Sequence, residues 1–296
     1  DGSLVALGTE YGTVKIWEVE YDATGKPTLT EKYTIKWSDA DVVTMGMDFD
    51  AAGNLYIVSN TNERLMVYSL PKVNNSFTTR VPLNRESYPR VSGNEEEDDP
   101  GVQTGVRKEG LNAYTSSMSS ATLSENKVIL TYVLNAPAAG LELQLLDEAK
   151  QVVATRPLNQ EENRTQGAHR IEVNLSGLPQ GTYNWALKAT SLPLPGEGEA
   201  FCAIDNLPDK MCASKGLAID NDYNSPFFGQ LYVADSPGAQ KLWDRQAIYI
   251  YDATMDMIEK VTSDKWATAI SAPCRVTVGP DHMLYICEWA DVYPNN

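Results

Sequence analysis

The sequence predicts an all-β protein, and three observations lead to that prediction. Its 296 residues contain 15 Tyr and 6 Trp against 5 Phe, and such amphipathic rings suit half-buried pleated surfaces. One strand–turn–strand unit recurs along the chain, and a separate stretch holds short strands in close succession. A hydrophobic fraction of 42% with 22% charged residues is typical of a folded chain.

The best-preserved unit covers residues 45–70. It consists of a strand, a turn at 50–54, and two further strands. Gly53 and Asn54 tolerate the positive φ that such a tight turn needs. A unit of this kind leaves open edges and one-sided faces, so it requires neighbours of its own type.

Four copies of the unit share the core pattern [GH]-x-L-[YV]-[IVA]. Their leucines are Leu4, Leu55, Leu231 and Leu284. Separations of 51 residues (4 to 55) and 53 residues (231 to 284) suit one four-stranded propeller blade per copy. The first copy lacks its opening strand and the last lacks its third. We therefore expect beta-propeller blades over 1–72 and 192–296, with two of the four copies incomplete.

A different pattern begins near Leu111. Short strands are expected over 127–134, 141–146, 151–155, 168–175 and 184–190. At least five short strands in about 80 residues is the spacing of a β-sandwich. We assign this module to residues 109–191.

Residues 73–108, between the second copy and the sandwich, read as a flexible linker. Several prolines and the acidic run at 95–99 leave little that could form a packed element.

Two parts of the sequence resemble known protein families. The segments 167–173 (GAHRIEV) and 178–183 (LPQGTY) resemble the immunoglobulin-like domain of the flagellar hook-capping type. That resemblance implies a spacer or adhesion element without catalysis. Residues 216–233, with the form G-[LM]-x-[IF]-D followed by G-x-L-Y-[IV], resemble NHL-type beta-propellers of exported Bacteroidetes-type lipoproteins. This second resemblance implies an extracellular, cell-surface or periplasmic location, although a leader segment is not present in this chain.

The order of the modules departs from the order expected of that family. An immunoglobulin-like module would precede all the blades, whereas here two copies come before it and two after it. Three explanations remain open: a permuted protein, a fragment completed by other chains, or separate segments joined in one numbering.

The net charge of −16, from 40 acidic and 24 basic residues, argues against nucleic-acid binding, because a phosphate backbone would be repelled over most of the surface. The longest apolar runs have strand length, so no transmembrane helix is predicted. The expected partner is a protein or a glycan, and the oligomeric state is left open.

The four cysteines form two close pairs. Cys274 and Cys287 are expected directly opposite each other across a hairpin, within disulfide reach. Cys202 and Cys212 flank a ten-residue loop and form the second candidate disulfide. The alternative is four buried free thiols. Neither pair has the CxxC spacing of a zinc site.

One loop has the oxygen spacing of a calcium site. Asp220, Asp222 and Asn224 stand at the first, third and fifth positions of a calcium loop, but Ser225 and Leu231 replace its glycine and glutamate. The alternative is a hairpin cap in which these side chains satisfy the local backbone. No other cofactor is predicted.

Three tryptophans are candidate ligand-stacking residues, namely Trp17, Trp243 and Trp289, with packing between blades as the alternative. The two histidines, His169 and His282, fall in separate modules with no shared site expected, so no catalytic residue is assigned.

The function that these observations favour is that of an exported binding or scaffold protein. Its propeller would recognise a glycan, a peptide or a partner protein, with the immunoglobulin-like module as a spacer. One alternative is a propeller lyase or glycan-active hydrolase that uses acidic residues at the central channel. A second alternative is a structural subunit of a surface assembly.

Overall fold

The computed structural model describes the protein over residues 3–9, 11–36, 44–59, 64–71, 76–80, 106–107, 110–124, 126–179, 181–194, 201–207, 214–236, 246–266 and 271–290. Within these ranges the chain is all-β, as predicted, with a single short 3-10 helix at Glu161–Arg164. No helix in these ranges has the length and apolarity needed to cross a bilayer.

The strands, in chain order, are β1 Leu4–Gly8, β2 Thr13–Tyr21, β3 Pro27–Lys36, β4 Thr44–Phe49, β5 Asn54–Ser59, β6 Arg64–Ser69, β7 Ser76–Arg80, β8 Val106–Arg107, β9 Thr115–Ser124, β10 Lys127–Leu134, β11 Ala138–Leu146, β12 Val152–Pro157, β13 Gly167–Asn174, β14 Asn184–Ser191, β15 Phe201–Leu207, β16 Ser214–Ile219, β17 Leu231–Asp235, β18 Ala247–Tyr251, β19 Met257–Val261, β20 Ser271–Val278 and β21 Leu284–Ala290.

The strands form six antiparallel sheets. Four contain the repeated units: sheet I (β1-β2-β3), sheet II (β4-β5-β6-β15-β8), sheet III (β16-β17-β18-β19) and sheet IV (β20-β21). The other two, β9-β10-β13 and β12-β11-β14-β7, form what we call the two-sheet module. In each repeated unit the patterned leucine lies at or beside the start of a strand, as the pattern predicted.

Sheets I to IV pack face to face in sequence. Leu55 and Ile57 of β5 contact the core shared with sheet I. The alternate residues Tyr56 and Val58 contact the core shared with sheet III. Sheets III and IV share a further core that includes Ile248. Because successive strand residues point to opposite faces, a strand buried on both sides must be continuously apolar.

The opening strands of sheets II, III and IV lie side by side at close range. A Cβ on Gly216 of β16 would lie 2.8 Å from the Cα of Arg275 in β20. A Cβ on Gly46 of β4 would lie 3.0 Å from the backbone nitrogen of Leu217. The recurring glycine of the unit is therefore required by the approach of neighbouring backbones.

The two-sheet module is inserted within sheet II. Strand β6 precedes the module in sequence, β15 follows it, and the two strands pair with each other. The insertion accounts for repeated units on both sides of the module. The sequence left open whether the module is inserted or attached, because β15 carries no repeat signature.

Part of the predicted linker at 73–108 belongs to folded sheets. Ser76–Arg80 forms β7 and pairs with β14 at the edge of the two-sheet module. Val106–Arg107 pairs with β15. The acidic run at 95–99 lies outside the described residues. Strand β7 was missed because it forms only through pairing with a strand more than 100 residues away.

The two-sheet module has a core of its own. Leu130 and Tyr132 of β10 face Leu143 of β11 and Trp185 and Leu187 of β14 across the space between the sheets. All five side chains are buried. This face-to-face packing of two antiparallel sheets agrees with the sandwich predicted for this stretch.

Candidate functional site: a cleft between the two-sheet module and sheets III and IV

A cleft of about 850 Å³ lies between the two-sheet module and sheets III and IV. One wall is the sheet β9-β10-β13, with Ser117, Ser119, Thr131, Val133, Ala168 and Arg170. The opposite wall comes from sheet III, with Phe227, Tyr232, Ile250, Ile258, Glu259 and Val261. The tip of the sheet IV hairpin completes the lining with His282, Met283 and Leu284.

A buried hydrogen-bond network fixes the two-sheet module against sheet II. The backbone N–H of Asn112 donates to Asn54 Oδ1 over 2.8 Å, and Asn54 Nδ2 donates back to the Asn112 carbonyl over 3.0 Å. The Asn54 amide also donates to the carboxylate of Asp50 over 2.6 Å. Asn54 is fully buried, so each of these polar groups needs its partner.

An aromatic cluster supports the cleft at the same junction. Tyr114 of the two-sheet module meets Phe228 of sheet III edge to face, with ring centroids 5.7 Å apart. Gln166 Nε2 donates to the carbonyls of Asn135 and Thr254, which joins the module to the β18–β19 turn. The two walls of the cleft are therefore held in place by contacts outside it.

His282 stands at the hairpin tip in a left-handed conformation, with φ of 61°. The equivalent residues of two other copies are Gly53 and Gly229, with φ of 78° and 84°. A left-handed residue with a Cβ costs about 1–2 kcal/mol. The imidazole Nε2 lies 3.8 Å from Oδ2 of Asp222, and Nδ1 is buried with no hydrogen-bond partner in the described part of the chain.

His169 lies on the facing wall. Its ring stacks on Tyr132 with centroids 5.0 Å apart, and its Nε2 is 2.7 Å from the Thr165 carbonyl. Burial raises the pKa of Tyr132, whose hydroxyl donates to the Asn163 carbonyl. Both histidines line one cleft. They reach it from separate modules, as the sequence predicted, because the inserted module folds back against the hairpin of sheet IV.

The lining of the cleft is mainly apolar, with a few charged groups. Phe227 and Met283 expose 43% and 62% of their surface. The side chains of Arg170 and Glu259 have no hydrogen-bond or ion-pair partner among the described residues. Asp252 is buried and accepts hydrogen bonds from the Thr254 backbone and hydroxyl.

Of the predicted stacking tryptophans, Trp17 and Trp289 do not line the cleft. Trp17 lies in β2 of sheet I, and Trp289 lies in β21 of sheet IV. Trp289 is 56% exposed, with the Lys215 ammonium 4.4 Å from its ring centroid. Burial lowers the pKa of Lys215. Trp243 lies outside the described residues.

The candidate calcium loop is organised as a hairpin cap. The Asp220 carboxylate accepts from the Ser225 hydroxyl over 2.5 Å and from the Asp222 N–H over 3.1 Å. Asn224 points its amide nitrogen at Asp222, with a hydrogen bond of 2.9 Å. The three side chains thus bond within the loop instead of converging on one point. Within the described ranges no group of three or more His, Cys, Asp or Glu side chains is placed to hold a metal ion.

Cys274 and Cys287 are not joined by a disulfide in the structure. Their predicted register is wrong, because Arg275 lies opposite Cys287 and Cys274 occupies a bulge between Pro273 and Arg275. The observed turn has three residues, 280–282, between Gly279 and Met283 instead of the predicted four, and this shifts the pairing beside it by one. Burial, with a further contribution from Cys287, raises the pKa of the Cys274 thiol. A disulfide between them stays a prediction. The side chain of Cys202 and all of Cys212 lie outside the described residues.

Sequence reasoning missed most of the cleft. Arg170 and Glu259 carry no motif, and they come from strands that the insertion brings together. One feature of the sequence pointed to the cleft. In the [GH] position of the repeated pattern, the last copy has His282 where the other copies have glycine. No protein-family model matches the chain, and no curated protein matches it.

Proposed function

We propose that this chain is an exported binding protein that recognises a peptide segment of a partner protein in the cleft between its two modules. In this proposal sheets I to IV are beta-propeller blades. The two-sheet module is an immunoglobulin-like domain inserted between the third and fourth strands of the second blade. The observation that carries the proposal is the cleft itself, which is lined by both modules.

The repeated units support the propeller assignment. Four copies of one strand–turn–strand pattern pack face to face, and the opening strands of sheets II, III and IV lie side by side. Radial repetition of small antiparallel sheets is the organising rule of propellers. The assignment to an extracellular, surface or periplasmic location depends on the family resemblance of residues 216–233.

The chemistry of the lining favours a peptide over a glycan. A volume of about 850 Å³ is in the range of small-molecule and short-peptide pockets. Its lining combines exposed apolar side chains such as Phe227 and Met283 with a small number of polar groups. Peptide side chains can bury apolar surface there, whereas a glycan would require many more hydrogen-bonding groups.

Filling the cleft tests the proposal. Ala168 is exposed and lines the cleft, so Ala168→Trp should occupy it and weaken binding of peptides selected on the wild-type protein by at least tenfold. Ala121 is exposed on the same sheet outside the cleft, so Ala121→Trp is the matched control and should bind as the wild type does. Affinities would be measured by calorimetric titration.

Two results would contradict the proposal. One is unchanged affinity of Ala168→Trp for every selected peptide. The other is a failure to select any peptide while a glycan panel yields a ligand that Ala168→Trp still binds.

A further inference from the structure

The two walls of the cleft carry charges of opposite sign. Arg170 is an exposed residue of β13 on the wall formed by the two-sheet module. Glu259 is an exposed residue of β19 on the facing wall. The basic side chain and the acidic side chain thus reach the cleft from different modules.

These charges are not used within the cleft lining. Neither the Arg170 side chain nor the Glu259 side chain forms a hydrogen bond or ion pair in the part of the chain that the structure describes. The His282 imidazole differs, because the Asp222 carboxylate lies 3.8 Å away and offsets its charge when protonated. Arg170 and Glu259 are therefore the charged groups that a ligand in the cleft could pair with.

An apolar patch lies with these two groups in the same lining. Phe227 and Met283 are its most exposed members, and Ile258 lies beside Glu259 in the same strand. Large apolar side chains left in solvent inside a cleft mark the place where a ligand buries apolar surface.

We infer that the peptide recognised in the cleft carries a large apolar side chain flanked by an acidic residue on one side and a basic residue on the other. This inference rests on the proposed function. The acidic residue of the ligand pairs with Arg170, the basic residue pairs with Glu259, and the apolar side chain contacts Phe227 and Met283.

The net charge of the whole molecule restricts where the acidic residue of the peptide can bind. With a net charge of −16, most of the surface repels an acidic peptide. Arg170 provides a local exception on one wall, so the orientation of the peptide is set by charge as well as by shape. Reversal of the peptide's charges would place like charges together at both ends.

A charge-swap experiment tests this inference. Two peptide libraries would be titrated into the protein. Peptides of the charged library carry an acidic, an apolar and a basic residue at three neighbouring positions. Peptides of the neutral library carry uncharged residues on both sides of the apolar residue. Arg170→Glu and Glu259→Arg should each weaken binding of the charged library's best peptide by about tenfold. The double variant Arg170→Glu/Glu259→Arg should prefer the same peptide with its two charges exchanged.

Matched controls exist on the same module. Lys127→Glu on β10 makes the same change of net charge as Arg170→Glu, and Glu148→Arg in the exposed turn after β11 makes the same change as Glu259→Arg. Neither residue lines the cleft. Both controls should leave the affinity unchanged.

The outcomes separate the two claims. Equal binding of charged and neutral peptides, with no effect of either charge reversal, overturns the charge assignment while the cleft remains a peptide site. Failure of every peptide to bind the wild-type protein overturns the proposed function and this inference together.

Discussion

Several left-handed residues of this protein share one kind of turn. In the hairpins that begin at Asp50, Asp147, Asp252 and Gly279, the N–H of the first residue donates to the carbonyl of the fifth, and the fourth N–H donates back to the first carbonyl. The fourth residue is Gly53, Lys150, Met255 or His282, each with a positive φ. A turn of this type contains a β-bulge. The alternation of apolar and polar residues along the two strands does not reveal the bulge, because the extra residue leaves the apolar positions unchanged.

Single residues of the cleft were predictable only in part. His282 could be placed at a hairpin tip from the sequence, since it replaces a glycine of the repeated unit. Its approach to Asp222 depends on packing between sheets III and IV, and no local pattern encodes that contact. Arg170 and Glu259 looked like ordinary solvent-facing charges for the same reason.

Asp48 allows a test of pH dependence at a single residue. It is partly buried at the contact of β4 with β16, where burial raises the pKa of its carboxyl. The Ile219 N–H donates to this carboxylate over 2.9 Å and offsets part of that effect. Since the folded-state pKa is raised, the folded protein holds the Asp48 proton more tightly than the unfolded chain does. The contribution of Asp48 to stability therefore improves as the pH falls from neutral towards 3.8, the ordinary value.

Asp48→Asn removes this titration. We expect the stability of the wild type relative to Asp48→Asn to increase between pH 7 and pH 4 in urea unfolding followed by tryptophan fluorescence. Groups that titrate elsewhere cancel in the difference between the two proteins. A constant difference across this range, or one that decreases towards pH 4, would show that burial does not control this carboxyl.

The elements of the fold were largely predictable from periodicity. Strands β10, β13 and β14 coincide with predicted strands within one residue, since their apolar runs are bounded by turn residues. Strands β7 and β15 were not predicted, because each depends on a partner far away in sequence. The register predicted for β20 with β21 differs from the observed register by one residue, because the turn that joins the two strands contains a bulge.

Gly216 tests the close approach of the opening strands. A Cβ there would lie 2.8 Å from one backbone atom and 2.9 Å from another, both in β20, which cannot move as a side chain can. We expect Gly216→Ala to destabilise the protein by about 1–3 kcal/mol. Gly140 in β11 is the matched control, since a Cβ there would lie at an ordinary 3.6 Å from Thr190. The stability of the alanine variants at Gly216 and Gly140 would be measured as urea unfolding midpoints. Equal midpoints for the two variants would refute the close packing of β16 with β20.

The whole molecule depends on an insertion that sequence patterns do not express. The repeated units and the two-sheet module were each recognisable, and their antiparallel all-β character followed from strand spacing. Their relation was not, because β15 joins sheet II only after the chain has completed the module. The cleft exists because of that relation, so it could not be found from either module alone.

The most direct test of the account is hydrogen–deuterium exchange of the protein with and without a selected peptide. Peptide binding in the cleft predicts slower amide exchange on both walls at once, at 116–119 and 168–170 in the two-sheet module and at 226–232 and 282–284 in sheets III and IV. Protection confined to one module, or restricted to the ends of sheets II to IV away from the cleft, would contradict it.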